Sequence, residues 1–208
     1  LLEAAEATAK IDVRGTRAAV WHPHAARIQP AKLAAGLADV VERLGVEIYE
    51  RTTVHEIAPY RLHTDHGTVT ADHIVRATEG FTANLKGGLH RLWLPMNSSL
   101  IATEPLPAAV WDELHWSEGE VLGDFAHVYM YAQRTADDRI AIGGRGKPYR
   151  YGSRTDTDGQ TPASTVRTLE GILHRFFPAT AVLRSRTPGR ACSAFPPATG
   201  RPPRAGPA

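Results

Sequence analysis

Cysteine occurs once in these 208 residues, at Cys192, so no internal disulfide can staple the fold. No apolar run approaches the roughly 20 residues that a membrane-spanning helix needs, and no signal peptide is visible at the amino end. Excess charge of one sign is missing too: 24 Lys and Arg stand against 22 Asp and Glu, and the basic residues are spread out rather than gathered into a nucleic-acid footprint. Several chemical signatures are absent. Without Gly-X-Ser-X-Gly there is no nucleophile elbow, and Ser98-Ser99 sits in Pro-Met-Asn-Ser-Ser without a hydrolase context. Ten histidines, among them His22, His24, His55, His63, His66 and His73, lack the His-Glu-X-X-His or Cys-X-X-Cys spacing that would make them a metal site, so surface histidines are the expectation. There is also no Gly-X-Gly-X-X-Gly turn to hold a pyrophosphate on glycine backbone at a helix N-terminus. What remains is a chain with 42% hydrophobic residues, enough for one sizeable core or two small ones.

The first half reads as α/β. Leu33, Leu37, Val41 and Leu44 recur at helical spacing, Pro30 suits the first turn, and Gly45 ends the helix. Val46 to Tyr49 alternates as a strand, followed by strands over 54–58, 61–64 and 68–70, with Asp65-His66-Gly67 as the last turn. Residues 72–78 return the chain to the sheet, where Ile74-Val75 suits a strand covered on both faces. Leu1 to Lys10 reads as helix interior.

The second half reads as α+β. A strand is expected over 100–103 and a short helix over 106–116 beginning at Pro107. A hairpin pairs 127–134 with 139–143 across Ala136-Asp137-Asp138, placing Val128, Met130 and Ala132 on one face and Tyr129, Tyr131 and Gln133 on the other. A basic glycine-rich loop follows, in which Arg145 can hold a carboxylate by a two-point contact or stand as an ordinary solvated arginine. A helix over 161–177 is capped by Thr161, opened by Pro162, striped by Val166, Leu169, Leu173 and Phe176, and stopped by Pro178. Beyond about Arg186, Pro, Gly, Arg and Ala without periodicity predict disorder.

Four segments in fixed order resemble the FAD-dependent amine and amino-acid oxidoreductases of the D-amino-acid oxidase and glycine oxidase type. Residues 26–33, Ala-Arg-Ile-Gln-Pro-Ala-Lys-Leu, resemble the family's entry into a helix, and residues 43–48, Arg-Leu-Gly-Val-Glu-Ile, its exit into a strand. Thr53-Val54-His55-Glu56-Ile57 resembles its Thr-X-Val-X-X-Ile segment, and residues 74–81, Ile-Val-Arg-Ala-Thr-Glu-Gly-Phe, its flavin-proximal strand and turn. The resemblance implies a partial FAD/NAD(P)-binding Rossmann-like domain joined to an antiparallel-sheet substrate domain. It implies FAD as cofactor, with Val54 at the adenine end and Ala77, Thr78 and Gly80 near the dinucleotide. It makes Tyr129 and Tyr131, with Arg145, the substrate-pocket candidates, although an ordinary half-exposed sheet face accounts for the tyrosines equally well.

The expected division is 1–88 for the partial FAD-binding part, whose first helix can belong to the substrate domain, 89–160 for the substrate sheet, 161–186 for a helix returning to the FAD domain, and 187–208 for a disordered tail. The missing glycine turn and the helical start suggest a fragment lacking its first α/β unit. The function expected by resemblance is oxidation of a small amine or amino acid at its C–N bond by hydride transfer to flavin, in the cytoplasm, with no nucleic-acid or membrane partner. Two alternatives stand beside it. One is a non-catalytic remnant or binding module with a degenerate FAD fold, and the other is a tRNA-modifying protein, for which the basic face is lacking.

Overall fold

The computed structural model describes residues 1–85, 97–127, 129–144, 149, 151, 161–185 and 192–194. It divides into two compact units, one built from residues 1–29, 98–148 and 156–208, the other from 30–97 and 149–155. The first helix, the long sheet and the last helix all fall in the first unit.

In the first unit, β1 (Leu2–Glu3) pairs antiparallel with β2 (Ala18–Ala19), and α1 (Ala4–Lys10) lies between them. The Glu6 carboxylate accepts the Glu3 backbone N–H at 2.9 Å, so the helix starts at Ala4 rather than running on from Leu1 as its composition suggests. The central element is a five-stranded antiparallel sheet in the order β10-β6-β9-β8-β7. Its strands are β6 (Ser99–Thr103), β7 (Val121–Gly123), β8 (Met130–Arg134), β9 (Ile140–Gly144) and β10 (Cys192–Ala194). Within the stretch beyond Arg186, where composition predicts disorder, Cys192, Ser193 and Ala194 are the described residues, and they pair with Thr103, Ala102 and Ile101. Exposed ladder groups of β6 reward any extended segment that reaches them, whatever its composition. Strand β8 starts three residues later than its alternation suggests, since Asp124 takes the Met130 N–H at 2.9 Å through its side chain and ends the pairing there.

One face of this sheet is apolar. Ile101, Met130, Ile140 and Ile142 are all but inaccessible, and α3 (Ala108–Leu114) and α4 (Ala163–Phe176) contribute Trp111, Leu114, Leu169 and Leu173 to the same cluster. Trp116 stacks on Phe177 with ring centroids 5.7 Å apart and meets Trp111 edge-on at 6.1 Å. The amino-terminal segment is tied in by backbone bonds, Asp12 N–H to the Leu114 carbonyl at 2.8 Å and Arg14 N–H to that of Phe176 at 3.0 Å. Pro107 and Pro162 precede α3 and α4 as expected, but Thr161 makes no capping bond, because the proline itself occupies the capping position.

The second unit contains α2 (Pro30–Arg43) and a three-stranded antiparallel sheet, β3 (Val54–Ala58), β4 (Arg61–Thr64) and β5 (Gly67–Thr70). Gly45 closes α2 in the left-handed region at φ +91°, which explains the glycine there. The register shifts between Val54 and Glu56, a bulge that leaves His55 out of step with β4. Two expected strands are not formed. Residues 46–49 and 72–78 pair with no neighbour among the described residues, and Val75 is 88% exposed. Alternation and β-branching make a segment fit to be a strand, but the ladder needs a second chain segment alongside. Among the described residues, no helix is long and apolar enough to cross a membrane.

Candidate functional site

The register of the five-stranded sheet sorts its side chains into two rows. Leu122, Ala132, Ile142 and Ile101 stand opposite one another and face the core. The next row, Gly123, Tyr131, Gly143 and Leu100, faces the other way. Tyr131 therefore has glycine on both flanking strands. The tip of its ring lies over Gly143, where a β-carbon would come within 2.3–2.4 Å of Cζ, Cε2 and Oη. Its hydroxyl is 3.0 Å from the Ser98 Oγ, and either oxygen can donate. Tyr129 lies beside it with ring centroids 6.3 Å apart and planes tilted by 47°. The two rings are 40% and 37% exposed, so this is an open aromatic ledge on a low glycine floor. Such a face can take a flat or small ligand against ring faces and offer it hydroxyl hydrogen bonds.

Tyr129 and Tyr131 are thus brought together, on the face the alternation assigns them. Arg145 lies outside the described residues. The remaining candidates belong to the other unit. Val54 opens β3, opposite Thr64, at the bulge. Ala77 and Thr78 lead into a short 3-10 helix, Glu79–Asn84, that contains Gly80, and the backbone turns at Glu79 with φ +42°. The Thr78 hydroxyl is 2.6 Å from that of Thr82, which is itself 1% exposed, and the Phe81 N–H returns to the Thr78 carbonyl at 2.9 Å. The turn that would cradle a pyrophosphate is not among the 208 residues, so the residues present fit only part of a bound FAD.

Three further features lie outside these candidates. A cavity of about 330 Å³ in the first unit is walled by α1, β2 and β7, with Lys10, Trp21, Glu120 and Phe125 among its lining, and the Lys10 ammonium sits 4.2 Å above the Trp21 ring. At the β8–β9 turn, the Asp137 carboxyl is held below its usual range by the Thr135 hydroxyl and then by the Arg139 guanidinium, and Arg139 is raised in return, chiefly by Asp137. Tyr49 is raised by its hydrogen bond to Glu47. Among the described residues, no group of three or more His, Cys, Asp or Glu side chains is arranged to hold a metal.

Sequence reasoning missed Ser98, the glycine floor and β7. The Tyr131–Gly143 pairing was within reach, because counting outward from a turn at Ala136-Asp137-Asp138 places those two residues opposite each other. Ser98 was not, since its approach to Tyr131 depends on β6 joining the sheet from 33 residues away.

The "Probable oxidoreductase OrdL" of Rhizobium meliloti (strain 1021) is 30% identical over 129 residues, which are 57% of this chain and 28% of that protein. Among solved structures, the L-proline dehydrogenase from P. horikoshii superposes with a TM-score of 0.69 at 18% identity, over 88% of this chain and 49% of that one. The glycine oxidase from Bacillus cereus ATCC 14579 gives 0.66 at 18% identity, over 87% and 48%. This chain thus spans about half the length of those structures and under a third of that curated relative. The sequence model described as DAO, FAD dependent oxidoreductase, matches residues 1–208, and with the sheet and its ledge in view the chain belongs to that family of FAD-dependent oxidoreductases.

Proposed function

We infer that this chain carries the substrate-side sheet of an enzyme that oxidises a small amine or amino acid at its C–N bond. The observation that carries the reading is the pairing of Tyr129 and Tyr131 on the sheet face opposite the core, where the Tyr131 ring lies over Gly143 and its hydroxyl meets Ser98, so that two ring faces and hydroxyl groups stand together. Family membership supports it, as do the names of two structural relatives, a proline dehydrogenase and a glycine oxidase. When bound, FAD supplies the hydride acceptor for the carbon that bears nitrogen. The part assigned to the chain's own residues is positioning: the two rings limit where an aliphatic body can lie, the hydroxyls orient its polar end, and the covered sheet excludes water from below. In the other unit, Val54 and the turn from Ala77 to Gly80 are proposed to meet the adenine side of the cofactor, which makes residues 30–97 its partial FAD-binding portion.

The second reading is a non-catalytic remnant, which would hold no flavin; a pyrophosphate cradle, absent from these 208 residues, contributes several backbone hydrogen bonds, each worth roughly 0.5–1.5 kcal/mol net. The visible spectrum after incubation with FAD and desalting separates the two, taken on this chain and on a polypeptide extended upstream of Leu1. The enzyme reading expects flavin absorbance in the longer polypeptide, bleached anaerobically by an amino acid such as L-proline or glycine, and little in the shorter. No absorbance in either would leave the remnant.

A further inference from the structure

We propose that Ser98 and Gly143 are positioning residues for Tyr131, one fixing its hydroxyl and the other giving its ring a seat; the functional part of this rests on the substrate-face reading above. An exposed tyrosine on a sheet ordinarily stands away from the strands and samples several side-chain rotamers. Tyr131 does not. It lies across its cross-strand neighbour on β9, and that neighbour is a residue without a side chain. Any other amino acid at position 143 would put a β-carbon 2.3–2.4 Å from Cζ, Cε2 and Oη of Tyr131, so the ring tip would have to move off this seat. On the opposite flank, position 123 is also glycine, so nothing from β7 props the ring up. Ser98 then acts at the far end. The 3.0 Å contact between its hydroxyl and that of Tyr131 fixes the ring tip at the end of β6, next to Ser99, the first residue of that strand.

The pair has a useful proton count. Two hydroxyl groups carry two protons, and the bond between them uses one. One proton always remains to point outward, from Tyr131 if Ser98 donates and from Ser98 if Tyr131 donates, and the two arrangements interconvert by rotation of the O–H bonds alone. A ligand polar group above the ledge therefore meets a donor on one hydroxyl or the other without any net proton transfer. Gly143 needs no contact with the ligand for this, and Ser98 needs none when it donates to Tyr131.

The test uses the chain labelled with ¹³C,¹⁵N-glycine. A ring lying over Gly143 shifts that residue's α-proton signals upfield of the other glycines, and Tyr131→Leu should abolish the shift. Ser98→Ala is expected to reduce it and Ser98→Thr to restore it; a Gly143 signal indifferent to Ser98→Ala would overturn the role of the serine. For the seat, Gly143→Ala should lower the melting temperature in the parent chain and do so far less in a Tyr131→Ala background, whereas an equal loss in both backgrounds would mean that Gly143 serves something other than the ring. Titration with L-proline, followed on the Gly143 signal, supplies the functional arm: Ser98→Ala should weaken binding about 2–10-fold, the worth of one hydrogen bond, with Ser98→Thr recovering it. Unchanged binding in Ser98→Ala refutes the positioning role. If the parent chain shows no response to L-proline at all, the substrate-face reading fails while the glycine shifts still decide whether the ring is held.

Discussion

Trp116 shows how much of the first unit hangs on single side chains. It is fully buried, stacks on Phe177, meets Trp111 edge-on, and donates its indole N–H to the Glu120 carbonyl at 3.2 Å. Truncation to alanine leaves a large void and strands that carbonyl, so Trp116→Ala is expected to cost about 3–5 kcal/mol, measured by denaturant unfolding of the chain. Gly45 is the opposite case, with no neighbour that a β-carbon would meet but a backbone at φ +91° that L-residues avoid. Gly45→Ala should therefore destabilise α2 by about 1–2 kcal/mol through conformation alone, visible as faster amide exchange in residues 38–45. Asp137 sets an acid limb. Its carboxyl titrates below the unfolded value because the Thr135 hydroxyl and the Arg139 guanidinium favour the charged form. The stabilisation is then complete above the unfolded carboxylate range and is lost as pH falls through the lowered folded value. An Asp137→Asn chain should lose stability relative to the parent at neutral pH and converge with it at strongly acid pH, as followed by urea midpoints across pH.

At the scale of elements, the two halves of the chain differ in what they bury. Strands β6, β8 and β9 carry Ile101, Met130, Ile140 and Ile142 into a shared core, whereas α2 has no buried residue, with Leu33, Leu37 and Leu44 each at least half exposed. Local stability follows buried apolar contact, so amides in β6 and β9 are expected to exchange more slowly than those in β3 to β5 in mass-spectrometric hydrogen exchange; equal protection would contradict this. The same contrast explains which elements could be read from sequence. The helix at Pro30, the hairpin strands over 54–70 and the β8–β9 pair announced themselves, because periodicity, proline and turn residues act over a few positions. Strand β10 did not, since Cys192–Ala194 is defined by its partner β6 and not by its own composition. The segments 46–49 and 72–78 failed for the converse reason, having strand-like composition and no described partner. For the site, alternation alone placed Tyr129 and Tyr131 on one face. The Ser98 contact needed a register between strands far apart in the chain, which no local pattern encodes.

At the scale of the whole molecule, the first unit is assembled from three separate stretches, with residues 30–97 interrupting it. That arrangement has a consequence for synthesis on the ribosome. The hairpins of β3 to β5 close over a few residues and can form as soon as they emerge, but β6 cannot find β9 until some forty residues later, and the apolar face of the sheet stays open until Leu169 and Leu173 of α4 arrive. Nascent chains arrested shortly after Gly144 should accordingly be protease-sensitive across 99–144 and bound by holding chaperones, and those extended past Phe177 by the length of the exit tunnel should be resistant. The interval between those two lengths is when this protein is most exposed to aggregation, and slowing translation there would lengthen that exposure, whereas speeding it would bring α4 to the sheet sooner.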